Sequence, residues 1–114
     1  MPSAQPGIDF LLSPYRVLDL TDDRGLLCGK ILADLGADVL QIEPPGGSPA
    51  RDIGPFYGDD PRPEKSLFWW AYAANKRSIT LNLEQIDGRA LLKKLVAEAD
   101  FLIESFAPGY LENL

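Results

Sequence analysis

A strand, a helix and a second strand packed into residues 16–43 constrain this chain more than any other feature of its sequence. Arg16 to Thr21 (Arg-Val-Leu-Asp-Leu-Thr) alternates polar and apolar residues and predicts the first strand. The acidic pair Asp22, Asp23 follows, suited to capping a helix and complementing its positive end. From Arg24 to Leu35, apolar residues recur at Leu27, Ile31 and Leu35, with Cys28 and Leu32 beside them, which marks one face of a three-turn helix ending at Gly36. Asp38 to Glu43 (Asp-Val-Leu-Gln-Ile-Glu) reads as the next strand, stopped by Pro44-Pro45-Gly46-Gly47. A helix this short between two strands returns the chain by a right-handed crossover, so the strands pair in parallel.

The remainder repeats the theme. Residues 44–66 hold six prolines and four glycines, a loop longer than a plain connector, expected to be functional or pinned by a partner. Leu67 to Ala74 suits two helical turns, although its aromatic content leaves a strand open. Ser78 to Leu83 predicts a third strand, and Gln85 to Ala99 a helix with a stripe at Leu91, Leu92, Leu95, Val96 and Ala99. Phe101 to Glu104 is the fourth strand, Ser105 to Gly109 a turn, and Tyr110 to Leu114 the start of a helix. That unfinished helix reads as the front piece of something larger. The expected architecture is α/β, with helices covering a mostly parallel sheet behind an entry arm at residues 1–15.

Composition narrows the chemistry. The chain contains no histidine and one cysteine, Cys28, so it can build neither a Ser-His-Asp triad, nor a Cys-His pair, nor a His-ligated zinc, nor an internal disulfide. The seventeen acidic residues are scattered, and no carboxylate pair stands out as general acid and base. A formal charge of −6 argues against a sequence-independent grip on nucleic acid or an anionic membrane. The longest apolar run, Leu67 to Ala74, is too short to span a bilayer, and nothing resembles a secretory signal, so a reducing cytoplasm is the expected location.

Open parallel sheets bind ligands beyond the carboxyl ends of their strands. Those ends are Thr21–Arg24, Glu43–Gly47, Leu81–Asn82 and Ser105–Phe106. The first turn carries neither a Gly-x-Gly-x-x-Gly nor a Walker loop, and its acids disfavour phosphate there; Asp22 and Asp23 read first as caps. Glu43 stands where a ribose-binding acid would sit, or is a solvated strand end. The doublet Lys76-Arg77, joined by Arg51, Arg62 and Lys65 from the long loop, could hold phosphates or form a solvated face. Trp69, Trp70 and Tyr72 read as core or interface rather than base-stacking groups. Cys28 reads as a buried small hydrophobe.

Three stretches go further: Leu32 to Val39 (Leu-Ala-Asp-Leu-Gly-Ala-Asp-Val) running into Glu43-Pro44-Pro45-Gly46-Gly47, then Asn75-Lys76-Arg77-Ser78-Ile79, then Ala99 to Gly109 (Ala-Asp-Phe-Leu-Ile-Glu-Ser-Phe-Ala-Pro-Gly). Together they resemble the N-terminal region of the class III coenzyme A transferase family. The resemblance implies a Rossmann-like region at residues 16–114, incomplete, that binds CoA within a longer, interlocked homodimeric protein. It also implies an acyl-carrying aspartate downstream of these residues, with acyl-CoA and a carboxylic acid as substrates and no metal. By position in the motifs, Pro44, Leu81, Ser105 and Phe106 are the implied CoA contacts, with Lys76 and Arg77 as the family's basic doublet. The family's common Ala-Gly-Pro segment after strand one is replaced by the shorter Arg24-Gly25-Leu26, which places Arg24 at that turn. Asn113 stands where many relatives carry arginine. Two alternatives stay open: an acyl-CoA racemase, which shares the fold and front motifs, and a non-catalytic assembly module using the Pro/Gly loop and Trp-rich run as contact surface.

Overall fold

The computed structural model describes residues 10–114. Four parallel strands, β1 (Arg16–Leu20), β2 (Asp38–Glu43), β3 (Arg77–Thr80) and β4 (Phe101–Glu104), form one sheet in the order β3-β2-β1-β4. Helix α1 (Leu26–Asp34) links β1 to β2, α2 (Leu67–Ala73) precedes β3, and α3 (Ile86–Glu98) links β3 to β4. The parallel α/β architecture is the expected one, and α2 resolves the helix-or-strand alternative in favour of helix. Of the entry arm, residues 1–9 lie outside the described residues; the rest turns onto the domain, with the Leu12 N–H donating to the Leu35 carbonyl.

Both sheet faces are covered. On one, Val17 and Val39 pack with Ala33 and Ala37; on the other, Leu18, Leu20 and Ile42 pack with Leu92 of α3. Burial from two sides is what makes β1 apolar at both Leu18 and Leu20 as well as Val17, and it also encloses two polar residues, Asp19 and Gln41, each with no exposed surface. They are register partners across β1 and β2.

The face of α1 differs from expectation. Leu26, Gly29 and Ala33 are buried, whereas Leu27, Ile31 and Leu35 are 56%, 50% and 41% exposed, and Cys28 is exposed rather than buried. The physical reason lies beneath the helix. A Cβ on Gly29 would stand 1.9 Å from Asp19 Oδ2, so the helix crosses a buried polar group at a distance only a small face permits. In α3 the stripe centres on Gly88, Leu92 and Leu95, leaving Leu91 and Val96 outside.

Two further expectations change. The chain from Tyr110 to Leu114 forms turns, with Tyr110 N–H bonded to Ala107 and Asn113 N–H to Gly109, and not the first turn of a helix. The loop at 44–66 is pinned by its own chain. It opens with a Pro44–Gly47 turn, closed by a 2.9 Å bond from the Gly47 N–H to the Pro44 carbonyl, in which Gly46 and Gly47 take φ of 87° and 93°, conformations that favour glycine. Ser66 holds the far end: its hydroxyl donates to the Ile53 carbonyl at 2.6 Å and accepts the Trp69 N–H, capping α2. Trp69 is core, as expected, beside Leu26 and Ala50, while Trp70 is 44% exposed and donates its indole N–H to the Glu64 carbonyl.

Candidate nucleotide cleft

Three of the four residues singled out as ligand contacts meet at the carboxyl ends of the strands. Pro44, Leu81 and Phe106 line one cleft of about 160 Å³, with Leu20, Ile42 and Leu83 forming its apolar floor. Pro44 comes from the turn ending β2, Leu81 from the segment after β3, where its N–H bonds the Glu43 carbonyl at 3.0 Å, and Phe106 from the turn after β4. The volume is below the roughly 300–1,000 Å³ typical of drug-sized ligands, so the cleft suits one flat ring system and not a whole cofactor. Glu84 and Tyr110 also line it. The sequence reading passed over both, although Tyr110 lies four residues after Phe106 and packs against it, the ring centroids 4.8 Å apart and the planes tilted by 43°.

Beside this cleft the strand order reverses: from β1 the sheet grows through β2 to β3 on one side, and β4 then pairs with the other side of β1, which makes the carboxyl ends of β1 and β4 the switch point of the sheet. The fourth residue, Ser105, meets Arg24 there. The Ser105 hydroxyl accepts the Asp22 N–H and donates to Asp22 Oδ1, both at 3.0 Å. The Arg24 guanidinium grips the Asp22 carboxylate through Nε and Nη2 and donates from Nη2 to the Ser105 carbonyl at 2.8 Å. That grip, working against a smaller desolvation and aided by the Arg24 N–H and Ser105, holds the Asp22 carboxyl down to about 2. Asp22 therefore shapes the turn instead of capping α1, whose first residue position is preceded by Gly25 with no side-chain cap.

The proposed basic cluster does not assemble. Lys76 points inward, its side chain 1% exposed, and its three protons go to Asp19 Oδ2 at 2.9 Å, Gln41 Oε1 at 3.0 Å and the Leu26 carbonyl at 3.1 Å. Arg77 opens β3 at the amino end of the sheet and pairs with Asp38. Arg62 pairs with Asp60, Lys65 lies over the Tyr57 ring, and Arg51 is held by Glu43. Glu43 is itself buried rather than a solvated end. Burial raises its pKa, but the bonds from Arg51, Ser78 and the Ser48 N–H outweigh it, and the net shift is downward. Its work is to fasten the loop. Among the described residues no group of three or more Cys, Asp and Glu is placed to hold a metal ion, and no helix is long and apolar enough to cross a membrane. Asn113 is exposed beyond the cleft, its amide 3.7 Å from the position a Cβ would take on Gly109.

Residues 12–114 match the description "CoA-transferase family III". The chain belongs to this family. Among its relatives, the succinyl-CoA:(R)-benzylsuccinate CoA-transferase subunit BbsE of Thauera aromatica is 42% identical over 108 residues, covering 95% of this chain and 26% of that protein. The succinyl-CoA–D-citramalate CoA-transferase of Chloroflexus aurantiacus is 43% identical over 104 residues, covering 90% and 25%. A crystal structure of a CAIB/BAIF family protein from Brucella suis superposes with a TM-score of 0.81 at 34% identity, covering 93% of this chain and 28% of that one. The chain thus spans about a quarter of the length of the relatives it matches.

Proposed function

We propose that this chain is the CoA-binding portion of a CoA-transferase that moves coenzyme A between carboxylic acids. The observation that carries the reading is the apolar cleft of Pro44, Leu81 and Phe106 at the carboxyl ends of a parallel sheet, in a chain of this family. The adenine of CoA lies between the Pro44 and Leu81 ledges, and the pantetheine arm passes Phe106 and Ser105 on its way to the reacting carbonyl. Arg24, held by the Asp22 carboxylate and bonded to the Ser105 carbonyl, braces the turn after β1 at that end. Lys76 and Arg77, each already partnered, serve the fold. The reaction exchanges one thioester for another, acyl-CoA plus acid giving the new acyl-CoA plus the released acid. Its acyl-carrying aspartate lies outside these 114 residues, and the assembled enzyme is an interlocked homodimer of the cytoplasm. That the Thauera aromatica and Chloroflexus aurantiacus relatives are CoA-transferases favours transfer over racemisation.

The test is calorimetric titration of the chain with coenzyme A, with NAD as control. Saturable binding of CoA alone is expected. Leu81→Asp, which puts a carboxylate on the ledge, should weaken it at least tenfold; unchanged affinity in a folded variant removes the pocket assignment, and self-association of a folded chain without CoA binding supports the assembly-module alternative.

A further inference from the structure

Two walls of the cleft meet at Glu43. Pro44, on one wall, is the next residue in the chain, and Leu81, on another, donates its N–H to the Glu43 carbonyl at 3.0 Å. The side chain of the same residue reaches into the long loop. Its Oε1 accepts the Ser48 N–H at 2.8 Å and Arg51 Nε at 2.6 Å, while Oε2 accepts Arg51 Nη2 at 2.9 Å and the Ser78 hydroxyl. The chain leaving β2 therefore closes on itself through a bidentate ion pair, with the Pro44–Gly47 turn inside the ring. Arg51 packs against that turn: a Cβ on Gly47 would stand 3.1 Å from Arg51 Cδ. On its other side the guanidinium lies 4.3 Å from the ring centroid of Trp69, a core residue. The Glu43 side chain is 4% exposed and that of Arg51 26%, so water screens the pair weakly. Neither Ser48 nor Arg51 lines the cleft.

We infer that Arg51 is a positioning residue for the cleft: by closing the ring on Glu43 it sets the Pro44 wall against Leu81, so that ligand affinity depends on an ion pair the ligand does not touch. The inference rests on the reading of the cleft as part of the CoA site. A proline ring has no free side-chain torsion with which to follow a ligand, so its place is that of the backbone turn carrying it. The bond from the Gly47 N–H to the Pro44 carbonyl shapes the turn itself, and the ion pair fixes how the turn stands on the end of β2. Such coupling is reciprocal. If opening the pair weakens CoA binding by some factor, bound CoA hinders the opening by the same factor.

The experiment measures CoA affinity by calorimetry on the intact chain, with thermal melts by circular dichroism to verify folding. Arg51→Met should weaken CoA about tenfold. Arg51→Lys keeps the charge but loses the fork, and should recover part of that loss. The combination of Glu43→Gln with Arg51→Met leaves no stranded charge, so its loss of affinity reads the same coupling even where Arg51→Met alone fails to fold. Arg62→Met, which frees Asp60 in the same loop, should leave affinity unchanged. The readout that a purely structural role would not move is amide exchange. Saturating CoA should slow exchange of the Ser48 N–H, bonded to Glu43, by a factor comparable to the affinity lost in Arg51→Met, and leave the Lys65 N–H, bonded to the Arg62 carbonyl, unaffected. Unchanged affinity in a folded Arg51 variant, an equal loss in Arg62→Met, or Ser48 exchange indifferent to CoA overturns the inference while leaving the CoA reading standing. Absence of CoA binding by the parent chain overturns that reading and this inference with it.

Discussion

Replacing Lys76 by methionine is the sharpest test of what holds the candidate site in shape. The Lys76 ammonium is the hub of a polar network sealed between α1 and the sheet: it bonds Asp19 of β1, Gln41 of β2 and the Leu26 carbonyl in the first turn of α1. Asp19 Oδ1 accepts both the N–H and the hydroxyl of Thr21, and the Gln41 amide donates to the Thr21 carbonyl. The network therefore fixes the point where β1 turns towards Asp22 and Arg24. Methionine keeps the length of the side chain and removes all three donors. It leaves a buried carboxylate oxygen, an amide oxygen and a carbonyl unpaired, and breaking a buried pair in this way costs about 3–5 kcal/mol. Against a total stability of about 5–15 kcal/mol for a domain, that is a large fraction. With a urea slope of about 1–3 kcal/mol/M, the unfolding midpoint should fall by at least about 1 M, followed by the fluorescence of Trp69 and Trp70.

The second half of the test is the pair. Asp19→Asn combined with Lys76→Met removes the stranded charge, so the double variant should recover at least about 2 kcal/mol of what Lys76→Met loses. A single variant that loses less than about 1 kcal/mol, or a double variant whose losses simply add, would refute the argument that the ammonium answers a buried carboxylate.

Gly29→Ala should destabilise by about 1–3 kcal/mol despite the better helix propensity of alanine, because the new methyl would lie 1.9 Å from Asp19 Oδ2; a stabilised variant in the same urea titration contradicts the close crossing of α1. Leu26→Ala should cost about 2–5 kcal/mol, whereas Leu27→Gln, on the exposed side of the same helix, should stay within about 0.5 kcal/mol, and equal losses would reverse the assigned face. Asp22, lowered from 3.8 to about 2, binds its proton less readily folded than unfolded, so it stabilises above pH 4 and that contribution fades as pH falls towards 2. The amount is at most about 1 kcal/mol, since the pair is partly open to water; Asp22→Asn should flatten the unfolding midpoint over this window, and an unaltered pH slope rules out the pairing with Arg24.

The element order was legible because strands and helices of these lengths leave distinct periods, and parallel pairing followed from the short crossover at 16–43. The face of α1 was not. Leu27, Ile31 and Leu35 repeat every four residues as a core stripe would, but Gly29 and Ala33, too small to register as hydrophobic, occupy the side that must approach Asp19 and Lys76. A helix over an ion pair buries its smallest residues. The signal available was the other half of that arrangement, a polar residue at the same register in two otherwise apolar neighbouring strands, Asp19 and Gln41.

The cleft divides along the same line. Pro44, Leu81, Ser105 and Phe106 follow strand ends, and topology alone brings strand ends of a parallel sheet to one side. The charged candidates stayed open in the sequence, because a count of lysines and arginines near a strand says nothing of which acids they meet. Glu43 takes Arg51, Asp38 takes Arg77 and Asp19 takes Lys76, three pairings separated by 8, 39 and 57 residues in sequence. An acidic chain that spends its cations on such pairs keeps few for a ligand. The cleft that remains is apolar at its floor and is bordered by the bond between Tyr110 and Glu84, which joins two turns 26 residues apart and which no local pattern announces.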